Sequence, residues 1–255
     1  MKALPAMHWA RLTLLLAVGS CASLKPTATG QSQGKLPDAK SAEAVTAPAP
    51  SCERSPAAGL AIDLAVPAGF TEICGKDRDM CANLTAGYPP TVRTIGYFVP
   101  SAEWARYQRG DHSHFKKYLI AQLTTTSTSD FPAMKTFIRG RSGRIPDSSR
   151  IRPDVLRRLG RVDLGVLDEG PDFISPGVLL SVEPSPQMPA LEPQVAINTA
   201  FLRTGVVFSL YTHYEFAAER DVDACRQLTT QWLACLRSVL PSDDGTDGPP
   251  ARTTP

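Results

Sequence analysis

Hydrophobic positions are most regular near the C-terminal end of the chain. Val195 to Leu202 (VAINTAFL) and Val206 to Tyr214 (VVFSLYTHY) are β-branched, aromatic runs separated by Arg203-Thr204-Gly205. They predict two strands joined by a short glycine-containing turn. Further on, Val222, Cys225, Leu228, Trp232, Cys235, Leu236 and Val239 recur at steps of three and four. Arg220, Asp223, Arg226, Gln227, Thr230 and Arg237 fill the opposite side, which is the pattern of an amphipathic helix. Asp221 and Asp223 suit the positive end of its dipole, and Pro241 ends it. A hairpin with such a helix folded back on it makes a core nucleus.

Upstream the pattern is less regular. Ile62 to Val66 predicts a short strand, followed by a turn at Pro67-Ala68-Gly69. Phe70 to Cys74 and Cys81 to Thr85 are expected as a pair of strands around the polar loop Gly75 to Asp79. Thr91 to Val99 predicts a strand closed by Pro100, and Ser101 with Glu103 starts a helix carrying Trp104 and Tyr107. A second helix is expected from about Ser113, with Phe115, Tyr118, Leu119 and Leu123 on one side and an end at Thr124 to Ser129. Phe131 to Arg141 reads as a short helix, and Arg150 to Arg161 as helical around an early Pro153. Val162 to Asp168 and Phe173 to Glu183 read as strands, and four prolines from Pro184 to Pro193 mark a loop. Runs of like elements, without strict alternation, predict an α+β fold: a largely antiparallel sheet covered by helices, ending in a strand hairpin and a long amphipathic helix.

The opening strand and its turn, Val66-Pro67-Ala68-Gly69-Phe70, together with this element order and the terminal hairpin and helix, resemble the PsbP-like superfamily. That superfamily includes DcrB-type bacterial lipoproteins. The resemblance covers most of Gly59 to Leu240. It implies an accessory, assembly or binding protein without a shared catalytic centre, and it carries over no functional residue.

The N-terminal pattern concerns destination. Lys2 and Arg11 bracket a basic region, and Leu12 to Val18 is apolar but too short to span a bilayer. Val18-Gly19-Ser20-Cys21 has the small residues and the cysteine of a bacterial lipobox. Residues 1–20 are therefore expected as a lipoprotein signal peptide, and Cys21 as the lipidated first residue. Ala22 after it favours the outer membrane over the inner one. Residues 21–58, rich in Ala, Pro, Ser, Thr and Gly, hold too little apolar surface to order themselves and read as a tether. Residues 59–240 make one domain of ordinary size, and residues 241–255 a second disordered tail. The net charge of +2 points to no particular partner.

Candidate chemistry is sparse. Besides Cys21 there are Cys52, Cys74, Cys81, Cys225 and Cys235, an odd number in a compartment that permits disulfides. Cys74 and Cys81 bracket a turn-rich loop and are expected to form a local bridge. Cys225 and Cys235 stand about 15 Å apart along a helix, well beyond the roughly 7 Å that a disulfide spans. The spacings are not those of a zinc site, and no metal or cofactor is expected. Asp111-His112-Ser113-His114 is the only histidine cluster, and a metal site at His112 and His114 is one alternative; His213 reads as a partly buried strand residue. Ser113-His114-Phe115-Lys116 matches S-x-x-K, so a serine acyl enzyme with Lys116 as base one turn from Ser113 is another. No Ser-x-Asn follows, and Arg203-Thr204-Gly205 sits where the hairpin needs its turn, so no enzyme activity is expected. Arg139, Arg141, Arg144 and Arg150 open an arginine-rich segment running to Arg161 with only Asp147 and Asp154 against it. Guanidinium groups suit bidentate capture of phosphate or carboxylate. In an envelope protein that means anionic lipid or glycan, not nucleic acid. The reading that results is a membrane-tethered envelope lipoprotein with a non-enzymatic binding or assembly role, with an envelope protein as a further candidate partner.

Overall fold

The computed structural model describes residues 51–57, 63–86, 88–89, 91–111, 114–124, 130–142, 151–181 and 192–240. The signal peptide, Cys21, the tether up to residue 50 and the tail 241–255 lie outside the described residues. The strands are β1 Cys52–Pro56, β2 Asp63–Pro67, β3 Phe70–Glu72, β4 Val92–Pro100, β5 Lys117–Thr124, β6 Arg161–Gly170, β7 Phe173–Leu180, β8 Gln194–Arg203 and β9 Val206–Glu215. The helices are α1 Arg78–Thr85, α2 Ser101–Gln108, α3 Phe131–Arg141, α4 Pro153–Leu159 and α5 Arg220–Val239. β3-β4-β5-β9-β8-β7-β6 form one sheet with every neighbouring pair antiparallel, and β1 pairs with β2 as a separate ribbon. The fold is α+β, an antiparallel sheet with helices on it and a hairpin followed by a long helix at its end.

The β8–β9 hairpin turns on Thr204 and Gly205, both at positive φ (54° and 69°), the backbone twist that suits a two-residue hairpin loop. α5 then lies over one face of the sheet. Its C-terminal half places Trp232, Leu233 and Leu236 against Phe98, Leu119, Phe201 and Phe208, while Leu64 and Val66 of β2 join the same cluster. Its N-terminal half places Val222 and Cys225 against Leu164 of β6, Leu179 of β7, Val195 and Ile197 of β8, and Leu156 of α4. A third cluster of Ile73, Met80, Tyr97, Val99, Trp104, Phe115 and Ile120 fills the other face, under α1 and α2. The alternation Tyr97, Phe98, Val99 along β4 divides the two faces, as a period of two requires.

Three expectations are corrected. Residues 81–85 are not a strand but the body of α1. Asp77 caps that helix, its Oδ1 accepting from Met80 N at 2.8 Å, and Met80 and Leu84 fall one turn apart on the inner side. The described part of the helix expected from about Ser113, residues 114–123, is not helical. β5 occupies it from Lys117 on, with Leu119 and Ala121 facing α5 and Ile120 facing the third cluster. A strand buried on both faces reads as an unbroken apolar run, and a run of that length is shared with a buried helix. The folded part also begins before Gly59: β1 lies inside the stretch expected to be tether, because it ladders onto β2 and buries Ala57 just beyond it to 4% exposure.

Candidate functional site

The cysteines are partitioned by the fold. Cys74 and Cys81 are joined, with Sγ atoms 2.01 Å and Cα atoms 4.8 Å apart, linking the end of the β3 segment to α1. Cys52 and Cys235 are joined as well, with Cα atoms 5.6 Å apart, so the first strand is stapled to the last helix. Cys225 is the free cysteine of the described residues, fully buried on the sheet-facing side of α5, and burial pushes its thiol pKa up.

His112 and Ser113 lie outside the described residues, so only their partners can be placed. Residues 114–116 form no helix and lead into β5, so the one-turn spacing on which the Ser113–Lys116 pair depended is not provided. Lys116 instead donates its backbone N–H to Glu103 Oε2 (2.9 Å), and its Nζ stands 3.7 Å from Glu215 Oε2. Arg203-Thr204-Gly205 makes the β8–β9 turn. Among the described residues, no three His, Cys, Asp or Glu side chains stand together as metal ligands.

Five of the six described arginines of the 139–161 segment are engaged, and Arg158 is exposed on α4. Arg139 Nε and Nη2 grip the carboxylate of Glu169 on β6, Nε at 2.9 Å. Lys135 Nζ joins them at 2.9 Å from Glu169 Oε1 and donates to the Gly170 carbonyl at 2.6 Å. Hydrogen bonds from Arg139 and then Lys135 hold the Glu169 carboxyl down at about 2. The Arg141 guanidinium sits 5.4 Å from the centre of the Phe137 ring. Arg157 pairs with Glu192 (2.6 Å), Arg152 with Asp154 (3.3 Å) and Arg161 with Asp163 (2.7 Å). Arg144 and Arg150 lie outside the described residues. Acidic side chains distant in sequence, Glu169 and Glu192, thus neutralise part of a local excess that looked larger in the linear chain.

A feature not singled out in the sequence lies on the sheet face opposite α5. The rings of Tyr97 on β4 and Tyr118 on β5 stack at 5.4 Å with 14° between planes. Tyr118 in turn stacks on His213 of β9 at 4.4 Å and 12°. The Tyr118 hydroxyl donates to Gln194 Oε1 of β8 at 3.2 Å, and His213 Nδ1 lies 3.3 Å from the same oxygen. One row therefore crosses four adjacent strands. Beside it, Gln122 Nε2 donates to Thr94 Oγ1 at 3.3 Å. Burial, and then Tyr211, push the Tyr88 hydroxyl up to about 12 against the opposing pull of a Gln122 hydrogen bond. Burial raises Tyr97, Tyr118 and Tyr211 too, and it lowers His213 to about 4. At neutral pH these tyrosine hydroxyls keep their protons and the His213 imidazole carries no charge. The row offers aromatic planes and neutral hydrogen-bonding groups, and no tyrosinate to act as a nucleophile. Its sequence signal was the pairing of Tyr118 with Gln122 and of Tyr211 with His213 at even spacing, which points to one face only once those segments are known to be strands.

A shallow groove runs between α5 and β6–β7, with Asp168, Arg226 and Thr230 among its lining residues, and it leaves no room for a water molecule. None of the described helices is long and apolar enough to cross a membrane.

No protein-family model matches this chain. No curated protein matches it either. Among solved structures it is similar to the Saccharomyces cerevisiae Ran-binding protein Mog1p, at 15% identity and a TM-score of 0.37, covering 73% of this chain and 94% of that one. A point mutant of protein Mog1 gives the same identity of 15% and TM-score of 0.37, covering 76% of this chain and 97% of that one.

Proposed function

We propose that this chain is a membrane-tethered lipoprotein of the bacterial envelope, in the outer rather than the inner membrane, whose folded domain has a non-enzymatic binding or assembly role. The observation that carries this reading is the pair of disulfides, Cys52–Cys235 and Cys74–Cys81. Disulfides persist in oxidising compartments and are rare where thiols are kept reduced. They therefore support export, which the apolar run Leu12 to Val18 and the lipobox ending at Cys21 independently favour. Resemblance to the PsbP-like lipoproteins supports an accessory role in the same compartment. The neutral tyrosine row favours binding over chemistry. Arg141, Arg144 and Arg150 are the arginines to test for contact with anionic lipid or glycan, and Arg139 acts there only if it leaves Glu169.

Metabolic labelling with a fatty acid analogue tests the anchor. The wild type is expected to be labelled and to fractionate with membranes, and Cys21→Ala to lose both properties. Equal labelling of the two, or labelling of neither, removes the lipoprotein assignment. Fluorescent penicillin and fluorophosphonate probes are expected to leave the protein unmarked, and labelling abolished by Ser113→Ala would replace the binding role with acyl chemistry.

A further inference from the structure

We propose that the Cys74–Cys81 disulfide is a redox exchange site, opened by an external dithiol, and that its reduction releases α1 as a lid from the tyrosine-bearing face of the sheet. The two disulfides differ in ways that assign them different work. Cys235 has no exposed surface, its partner Cys52 is partly exposed, and their bridge closes a sequence separation of 183 residues. Cys74 and Cys81 are both partly exposed and enclose a separation of only 7. The entropy gained by closing a loop grows with its length, so the long bridge constrains the unfolded chain far more than the short one. The short bridge restrains something local.

That local element is α1. Eight residues make little more than two turns, and Met80 is the one buried side chain it contributes. An isolated helix of that length is far below what is stable in water, so it depends on its attachments. Those attachments are the Asp77 cap, the Met80 and Leu84 contacts with the third cluster, and the disulfide to Cys74. Glu72 braces the Cys74 end, its two carboxylate oxygens each accepting at 2.8 Å from the N–H groups of Cys74 and Gly75. Beneath lie Ile73, Tyr97 and Ile120, with Tyr118 and Tyr211 packed against the same cluster. Loss of α1 therefore uncovers the aromatic row at its β4–β5 end.

The chemistry is an ordinary thiol–disulfide exchange. A thiolate of the dithiol attacks the Cys74 sulfur, the S–S bond breaks, and its electron pair leaves on Cys81. Cys81 leaves as a thiolate and takes up a proton from solvent. The second thiol of the reductant then attacks the mixed disulfide, releasing Cys74 as a thiol and leaving the reductant oxidised by two electrons. Both cysteines stay on one short loop, so reoxidation readily restores the lid.

Cys225 supplies an internal control, since its thiol has no exposed surface and reacts only if the core opens. The oxidised full-length protein is to be titrated with dithiothreitol, alkylated with iodoacetamide and peptide-mapped, with amide exchange followed in parallel. The expected result is alkylation of Cys74 and Cys81 at about tenfold less reductant than Cys52 and Cys235 require, with Cys225 unmodified. Amides of α1 should then lose protection while those of β5 and β9 keep theirs, and Cys74→Ser/Cys81→Ser should show the same exchange pattern without reductant. Reduction of both bridges together, or alkylation of Cys225 in step with Cys74, would show that no separate latch exists. Full protection of α1 after its bridge is open would overturn the lid.

Discussion

At the scale of single residues the most informative group is His213. It sits at 6% exposure between the Tyr118 ring and the Gln194 amide, with no carboxylate beside it in the row. Burial lowers its pKa from 6.5 to about 4, so the folded chain refuses a proton that the unfolded chain accepts. Stability is then fully present above the unfolded value and falls as pH drops through the window between 6.5 and about 4. The slope approaches about 1.4 kcal/mol per pH unit, for a total on the order of 3 kcal/mol. Urea unfolding at closely spaced pH values should show this decline in the wild type, and His213→Gln should flatten it. An equal slope in both would mean that the imidazole is solvated. Glu169 and Asp172, whose carboxyls are also held below their usual values, contribute with the same sign but at lower pH.

At the scale of elements, α1 and β5 show how local signals and neighbours compete. Asp77 begins α1 by satisfying the Met80 N–H, and Asp77→Ala should remove about 1 kcal/mol of local stability. Amide exchange in α1 is expected to rise about fivefold, the equivalent of that energy, with β4 and β9 unchanged; no change in α1 would assign its start to the disulfide alone. This cap stood in the sequence as an aspartate at the head of Arg78 to Thr85, but the polar, turn-rich run Gly75 to Asp79 read as a loop between two strands. For β5 no local signal was decisive. Tyr118 to Leu123 is apolar except for Gln122 because β4 and β9 flank it and both its faces are covered. α5, in contrast, declares itself by a polar side and an apolar side, a property that requires no knowledge of its neighbours.

At the scale of the whole molecule, the Cys52–Cys235 bridge joins the two ends of the folded part, and Cys52→Ser/Cys235→Ser should lower stability by about 2–5 kcal/mol. Denaturant unfolding of the oxidised proteins measures this, and a loss under about 1 kcal/mol would mean that the β1–β2 ladder holds the first strand unaided. Near a membrane, the arginine segment is expected to make the full chain bind anionic liposomes at low salt and release them as salt rises. Arg141→Ser/Arg144→Ser/Arg150→Ser should weaken that binding with an unchanged circular dichroism spectrum. Indifference of the wild type to anionic liposomes would reduce the segment to a solvated face. The sequence by itself determined the α+β class, the terminal hairpin and α5, because alternation and helical periodicity are written within each segment and need no partner to be read. Only the tertiary structure decided that the run ending at Leu123 is a strand, that Cys52 meets Cys235, that Glu169 engages Arg139, and that Tyr97, Tyr118, His213 and Gln194 form one row. Each of those depends on which strands are neighbours and in what register, and long-range pairing is a property of the assembled sheet that no single segment encodes.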